Sequence, residues 1–592
     1  MLALELPQGG SSGNSGFLDS SKQMIKRMKG YRHHEYNIKN KKCKRDVKVV
    51  FNTLNDPSER RDVSEALWLT LRERAPLKPD LWDPIGTAYG VFNRVSMLPP
   101  TADLTYIMEL GNFVLGELKR RKVRKLDPSF DLSQEWWLSE TKYPDWRKDE
   151  LRQAWERCDG KPTDRDWRLK CFAKDEFYLE PKSVRNIFPR GDAAKAYEGP
   201  PIKICEIISK DYFPEMIKPI PVVDRPGYIM EKLYTPGAKY AATDYTSFES
   251  HFVKLLMLHV EFVLYEWILS DHPEGRKRIL EIKRRMTGTN YCMFKHFNVT
   301  LEATRMSGEM CTSLGNGFSN LMFFLFACSK EKITCTGVVE GDDGLFVCSP
   351  KVPEQKTFEK MGLTIKLEEH HQLETASFCG IVFDKTDLIN VTDPLEVCLT
   401  FGWSKSYHVG MNRIRKLELF RAKALSFAYQ YKGCPIVQSL AHCALRLSKH
   451  IDLRRYLLKD RSINMWEREQ LLEALEYCKT NKIEDLKMKI PQNTRLLVQT
   501  KFGISIDDQI LIEKFYDNIN TLEEEIYCPD LDKYCADVWG HFDAFYVHKG
   551  MDNYTPLNVP KYKGQLWKDF GSKIVFTKRA ENAGVDKYVK GI

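Results

Sequence analysis

Val338-Val339-Glu340-Gly341-Asp342-Asp343-Gly344-Leu345-Phe346-Val347 is the stretch on which the reading of this chain turns. Apolar residues flank a tight Gly-Asp-Asp-Gly centre, the pattern of a β-hairpin whose glycine supplies the turn's backbone freedom. Two adjacent carboxylates at a hairpin tip repel one another unless a cation neutralises them. A hard divalent ion, magnesium or manganese, suits such oxygen ligands. The tripeptide alone decides little, since Gly-Asp-Asp arises by chance in roughly one chain in ten of this size.

A second carboxylate site lies upstream, in Tyr240-Ala241-Ala242-Thr243-Asp244-Tyr245-Thr246-Ser247-Phe248-Glu249. The pattern predicts a short strand ending at Asp244 and a helix that begins near Ser247 and runs past His251. A carboxylate at a strand's end can project into a cleft and share two metal ions, roughly 3.5–4 Å apart, with Asp342. Taken by itself, Asp244 also reads as a helix cap. The third element is Ser307-Gly308-Glu309-Met310-Cys311-Thr312-Ser313-Leu314-Gly315-Asn316. A loop at Ser307-Gly308 leads into a helix through about Leu325, in which Thr312, Asn316 and Asn320 share one face. Leu314, Phe318, Leu321 and Leu325 are expected to pack inward. A row of uncharged hydrogen-bonding groups suits a ribose 2′-hydroxyl; a capped helix with polar exposure is the plainer alternative.

In chain order, Asp244 with Glu249, then Ser307-Gly308 with Thr312 and Asn316, then Gly341-Asp342-Asp343 resemble palm motifs A, B and C of the RNA-dependent RNA polymerases of positive-strand RNA viruses. Lys174-Asp175-Glu176 with Lys182, Arg185, Ile187 and Arg190 resembles motif F, which offers spaced cations to an incoming triphosphate; a charged surface hairpin is the alternative. Met361-Gly362-Leu363-Thr364-Ile365-Lys366 resembles motif D, whose basic residue protonates pyrophosphate. Lys366 is the choice for that acid, with His370 its rival by spacing. Ser377-Phe378-Cys379-Gly380 resembles motif E, the grip on the primer strand, or else a buried strand. Ala424-Leu425-Ser426, Gly433-Cys434-Pro435, Asn493-Thr494-Arg495, Phe502-Gly503-Ile504 and the run from Gln509 to Glu513 are similar to tombusvirus-like members. The resemblance spans about residues 165 to 515. It departs at Glu249, where motif A of that group usually carries Asp, and no fused membrane-targeting replication domain is seen ahead of it.

The resemblance implies an α/β (α+β) right hand. Residues 1–160 would form an N-terminal extension with fingertips and fingers, 161–237 fingers, and 238–384 a palm of antiparallel sheet backed by helices, with a fingers insertion near 275–305. Residues 385–592 would form a helical thumb and C-terminal extension. It also implies two Mg2+ (or Mn2+) ions on Asp244, Asp342 and Asp343. RNA and nucleoside triphosphates would be met by Lys174, Glu176, Lys182, Arg185, Arg190, Glu249, Ser307, Gly308, Thr312 and Asn316. The implied setting is the host cytoplasm, in replication complexes that reach membranes through other viral proteins. Reverse transcriptases usually place Tyr-x-Asp-Asp where this chain has Glu340-Gly341-Asp342-Asp343, and a non-catalytic RNA-binding scaffold has no need of intact carboxylates.

Composition agrees with such a reading without requiring it. A chain of 592 residues is expected to divide into several subdomains. The formal net charge of +9 suits a polyanion partner and many other enzymes equally. Sixteen cysteines without a Cys-x-x-Cys pair suggest free thiols in a reducing compartment. The apolar start, Met1 to Leu6, is too short for a signal peptide, and no apolar run is long enough to span a bilayer. The opening segment through Gly9 to Gly16 reads as a flexible linker or a processed end. Lys22 to Lys48, with Tyr31 and Tyr36 interleaved, reads as an RNA-gripping or merely solvated arm. Lys119-Arg120-Arg121-Lys122 is expected to close a helix, and Asp131 to Arg157 to be helical with a break at Pro144. After residue 410 helices are predicted at Asn412–Tyr431, Pro435–His450 and Ile463–Thr480, with another ending at Tyr527-Cys528-Pro529.

Overall fold

The computed structural model describes residues 27–30, 42–53, 61–72, 75–453, 456, 465–522, 525–545 and 564–592. The linker at Gly9–Gly16 and most of the basic arm, Tyr31 and Tyr36 included, lie outside the described residues. At the centre stands a four-stranded antiparallel sheet of β1 (Lys239–Tyr245), β2 (Thr334–Glu340), β3 (Asp343–Ser349) and β4 (Ile365–His370), in the spatial order β2-β3-β1-β4. Only β2 and β3 are joined by a tight turn; β1, first in the chain, is inserted between β3 and β4.

Both faces of this sheet are covered, so its strands carry nearly continuous apolar runs instead of strict alternation. Tyr240, Ala242, Leu345 and Val347 face one way, onto Ile229 and Leu233 of the helix Arg225–Leu233. Ala241, Tyr245, Phe346 and Cys348 face the other way, onto the helix Thr312–Lys330. There Phe324 stacks on Phe346 with ring centroids 3.7 Å apart and planes 5° from parallel. Gly337 on β2 lies under the Phe346 ring, and any side chain at that position would collide with it. Thr312–Lys330 is apolar on most of its circumference, as a helix buried on several sides must be.

A second, five-stranded sheet draws together distant parts of the chain. Its strands run in the order Ile574–Phe576, Lys48–Phe51, Phe297–Glu302, Thr289–Met293 and Leu169–Lys170. The excursion near 275–305 therefore supplies two neighbouring strands, and residues 564–589 pack here instead of on the C-terminal helices. The C-terminal helical layer includes Pro394–Phe401, Arg413–Gln430, Val437–Leu447, Gln492–Phe502 and Ile506–Asn518, and its core takes in Val63 to Leu77 from the N-terminal part. The mixed α/β expectation is met at this level.

Most predicted helices appear within a few residues of their expected bounds. Leu104–Arg120 ends in Lys119 and Arg120, and Pro144 caps Asp145–Arg157. Tyr527-Cys528-Pro529 is a correction. The preceding helix ends at Asn518, a short strand Glu525–Ile526 intervenes, and Pro529 opens a helical turn, where its missing N–H costs nothing. No helix among the described residues is long and apolar enough to cross a membrane.

Phe346→Ala would remove one ring of the stack between sheet and helix and open a cavity there. Urea denaturation is expected to show a loss of about 3–5 kcal/mol; a loss below about 1 kcal/mol would mean that this stack does not anchor the sheet.

Candidate active site

The β2–β3 turn has two residues, Gly341 and Asp342, between the paired Glu340 and Asp343. Gly341 has φ +62°, while Asp342 is not in the left-handed region. A positive φ at the first central residue alone is the type II′ pattern, and glycine meets it without strain. The register then decides what the tip meets. Gly344 pairs with Thr243, so one step further along both strands brings Asp343 beside Asp244. On the other flank of β1, Lys366 is paired with Asp244. Opposed residues in an antiparallel ladder point to the same face, so Lys366 and Asp244 share one. His370 is paired with Tyr240, four residues and about 13 Å further down the strand.

The tip is held from beneath. Asn320 Nδ2 donates to the Gly341 and Asp342 carbonyls, at 3.3 and 3.0 Å, while its Oδ1 accepts from Tyr245 OH at 3.1 Å. Thr243 Oγ1 lies 3.4 Å from the Asp342 and Gly344 carbonyls. The α-carbon of Gly344 sits so close that a Cβ would come within 2.8 Å of Thr243 Oγ1 and 3.2 Å of Asn320 Nδ2. Asn320 thus spends its amide on the hairpin and is not free to join Asn316 in a ribose-facing row, as its spacing suggested.

Asp244, Asp342 and Asp343 are all exposed to solvent, and none forms a salt bridge among the described residues. Partial removal from water, then the adjacent Asp342, with Glu340 and Asp244 adding to it, pushes Asp343 up to about 6. Desolvation and Glu249 raise Asp342, while Arg94 and Arg185 offset part of that rise. This is a site short of positive charge. Its donors are hard oxygens, which fit a divalent ion. Among the described residues no three acidic, histidine or cysteine side chains gather into a complete metal cage. Such an ion would draw its remaining oxygens from water or substrate phosphate, as magnesium commonly does.

Of the other predicted residues, Glu249 and Arg185 act on the field at Asp342. Gly308 has φ +107° and donates its N–H to Thr312 Oγ1 at 3.3 Å; Thr312 Oγ1 in turn donates to the Met306 carbonyl at 3.2 Å. The Ser307 carbonyl accepts from Phe188 N–H at 2.7 Å, tying this loop to the strand Asn186–Ile187. Thr312 and Gly308 therefore shape the loop, and Asn316 is the residue whose amide N–H2 has no protein acceptor among the described residues. The Arg185 fork grips Glu176, and Lys174 Nζ lies 3.0 Å from the same carboxylate. Though burial opposes it, these cations hold Glu176 down at about 2. Lys182 lies at the surface, 2.9 Å from Glu180.

Arg190 is a correction to the phosphate-binding set. It is 3% exposed, paired with Glu309 and Glu198, and donates to the Asn290 side chain and the Trp167 carbonyl. Every face of the fork is occupied by the interior. Phe378 and Ile381 exchange both backbone hydrogen bonds around Cys379 (φ +51°) and Gly380 (φ +73°), a I′-type turn in place of a buried strand. Its Cys379 Sγ lies 3.9 Å from Glu340 Oε2, at the base of the acidic hairpin.

One participant had no signal in the sequence. Arg94, at the end of the helix Pro84–Asn93, places Nη2 3.7 Å from Glu249 Oε2 and contributes positive potential at Asp342. The same segment receives a hydrogen bond from Ser247 Oγ to the Asn93 carbonyl at 2.8 Å. No local spacing links positions 94 and 249; only the tertiary fold does.

Residues 240–524 match the family model described as viral RNA dependent RNA polymerase. The chain is similar to the RNA-directed RNA polymerase of Panicum mosaic virus (strain United States/Kansas 109S), with 24% identity over 286 residues, covering 47% of this chain and 27% of that protein. It is also similar to the RNA-directed RNA polymerase of Striped jack nervous necrosis virus, with 26% identity over 148 residues, 23% of this chain and 14% of that protein. The matches thus span about a quarter or less of those relatives' lengths.

Burial and the neighbouring acids push Asp343 up to about 6, against 3.8 for an unperturbed Asp. Its ionised form therefore opposes folding fully above pH 6, and the penalty vanishes below about 4, where both states hold the proton. Without divalent cations, Asp343→Asn is expected to raise the melting temperature at pH 7 and to leave it unchanged near pH 4. Thermal melts of the two proteins at both pH values check this; an equal gain at both, or none at pH 7, contradicts it.

Proposed function

We infer that the chain, which belongs through residues 240–524 to the viral RNA dependent RNA polymerase family, copies an RNA template by joining ribonucleoside triphosphates. The observation that carries this reading is the register that sets Asp244 of β1 beside Asp343, the neighbour of Asp342 at the hairpin tip. The family implies dependence on a divalent metal. In the finer reading the four-stranded sheet and its helices are the palm of a right hand, the second sheet belongs to the fingers, and the C-terminal helical layer is the thumb.

The residues divide the work by their chemistry. Asp244 and Asp342, assisted by Asp343, are the groups to hold two Mg2+ or Mn2+ ions, which when bound would neutralise charge on the attacking 3′-oxygen and the departing pyrophosphate. Lys174 and Arg185 bind the triphosphate, for which they exchange the Glu176 carboxylate that they hold in the free protein. Asn316 donates to the ribose, with Glu249 beside it. Lys366 is the acid for pyrophosphate: its ammonium is strengthened by Glu368, 2.8 Å away, and further by Asp244. His370 stands too far down β4 for that task, and desolvation and Lys501 depress its basicity. Positioning and charge neutralisation dominate catalysis of this kind. RNA template and product, and nucleoside triphosphates, are the proposed partners. Membrane-associated replication complexes in the host cytoplasm are the proposed setting.

Asp342→Asn removes one charged ligand with little change of shape. Template-directed incorporation by the purified chain with magnesium is expected to fall on the order of a hundredfold or more. Wild-type synthesis by this variant would defeat the assignment.

A further inference from the structure

We propose that Arg305 is a positioning residue for ribose selection, a strut that fixes Glu249 and Asn316 relative to one another; this rests on the polymerase reading above. Its backbone N–H donates to the Glu249 carbonyl at 3.1 Å, and its side-chain Nε donates to Asn316 Oδ1 at 2.8 Å. One residue therefore ties the backbone of Glu249 to the side chain of Asn316, two segments distant in the chain.

The strut is itself locked. Its guanidinium is fully buried, with Nη2 2.7 Å from Glu261 Oε2, whose side chain is equally buried. Tyr265 OH donates to the same Glu261 oxygen at 3.2 Å, Nη1 donates to Cys311 Sγ at 3.3 Å, and the guanidinium lies 4.5 Å from the Phe252 ring centroid. The helix makes room for this group. A Cβ on Gly315, immediately before Asn316, would press on Glu261 Oε2, lie 2.6 Å from Arg305 Nη2 and 3.1 Å from Tyr265 OH. Glycine here admits a charged pair to the flank of the helix at the turn that bears Asn316.

The consequence for Asn316 is directional. An amide whose oxygen faces a guanidinium must turn its N–H2 the other way, so Asn316 presents donors alone. Donors reward a 2′-hydroxyl, which can accept, and a deoxyribose leaves them unpaired. Stability does not explain the arrangement, because a buried ion pair seldom outperforms apolar residues of equal volume. Only arginine's planar fork reaches Glu261 and Asn316 at once; lysine has a single point charge.

The test compares kcat/KM for ribo- and deoxyribonucleoside triphosphates on a primed RNA template, with the full chain. Arg305→Lys keeps a charge opposite Glu261 but loses the Nε donor. Ribose discrimination is expected to fall about tenfold, the worth of one directed hydrogen bond. Merely structural damage would lower both rates together and leave their ratio unchanged; an unchanged ratio in folded R305K overturns the proposal. Should R305K not fold, Tyr265→Phe carries the test, since it removes only the hydroxyl that steadies Glu261. Discrimination should then fall about threefold, a fraction of one hydrogen bond, and an unchanged ratio again overturns the proposal. Asn316→Asp keeps the oxygen that Arg305 grips and deletes the outward donors, so it separates the two levels. Lost discrimination in N316D with none lost in R305K refutes the strut alone. Full discrimination in N316D refutes the assignment of Asn316, and with it the strut's purpose. A wild-type chain that makes no RNA refutes the underlying polymerase reading.

Discussion

Carboxylates that repel one another are forced together here by the pairing of three strands. Asp343 comes beside Asp244 because Gly344 pairs with Thr243, and Lys366 flanks Asp244 because β4 pairs on the other side. A slip of one residue along β1 would turn Asp244 to the opposite face and bring Thr243 into its place. The register is pinned by the two apolar faces of the sheet, since the same slip would turn Tyr240 and Ala242 away from Ile229 and Leu233 and toward Phe324, against which they are not shaped to pack. Packing energy spread over many side chains thus maintains a small region of unfavourable charge. Asn320 and Thr243 complete the restraint by holding the tip's carbonyls.

Around that centre the molecule separates committed charge from available charge. Arg190 and Arg305 are buried with acidic partners and shape the protein. Arg185 and Lys174 are partly exposed and share one glutamate, Glu176. The difference lies in exchange: a buried arginine whose partner is removed strands an uncompensated charge, whereas an exposed one trades partners at little cost. Arg94 belongs with the second group, reaching Glu249 and the field of Asp342 from the N-terminal part of the chain.

What could be read in the sequence was local or periodic. The hairpin at Gly341, the strand ending near Asp244 and the helix after Ser307-Gly308 all follow from spacing and turn chemistry, and each appears where expected. What could not be read depended on neighbours distant in the chain. Arg185 and Arg190 look alike in a basic run, but one meets Glu176 at the surface and the other Glu309 in the interior. Asn316 and Asn320 look alike on a helix face, but the first turns to Arg305 and the second to the hairpin tip. Lys366 and His370 both fit by count, and the β1–β4 register places the first beside Asp244 and the second beside Tyr240. The pairing of Ile574–Phe576 with Lys48–Phe51 joins the two ends of the described chain and has no precursor in any motif.

We propose that the β1 carboxylate and the hairpin tip form one divalent-cation site. The most direct measurement is an anomalous difference map from crystals of the full chain grown with Mn2+ and a nucleoside triphosphate. Manganese density is expected between the side chains of Asp244 and Asp342. Density elsewhere on the protein, with those two carboxyl groups left bare, would contradict it.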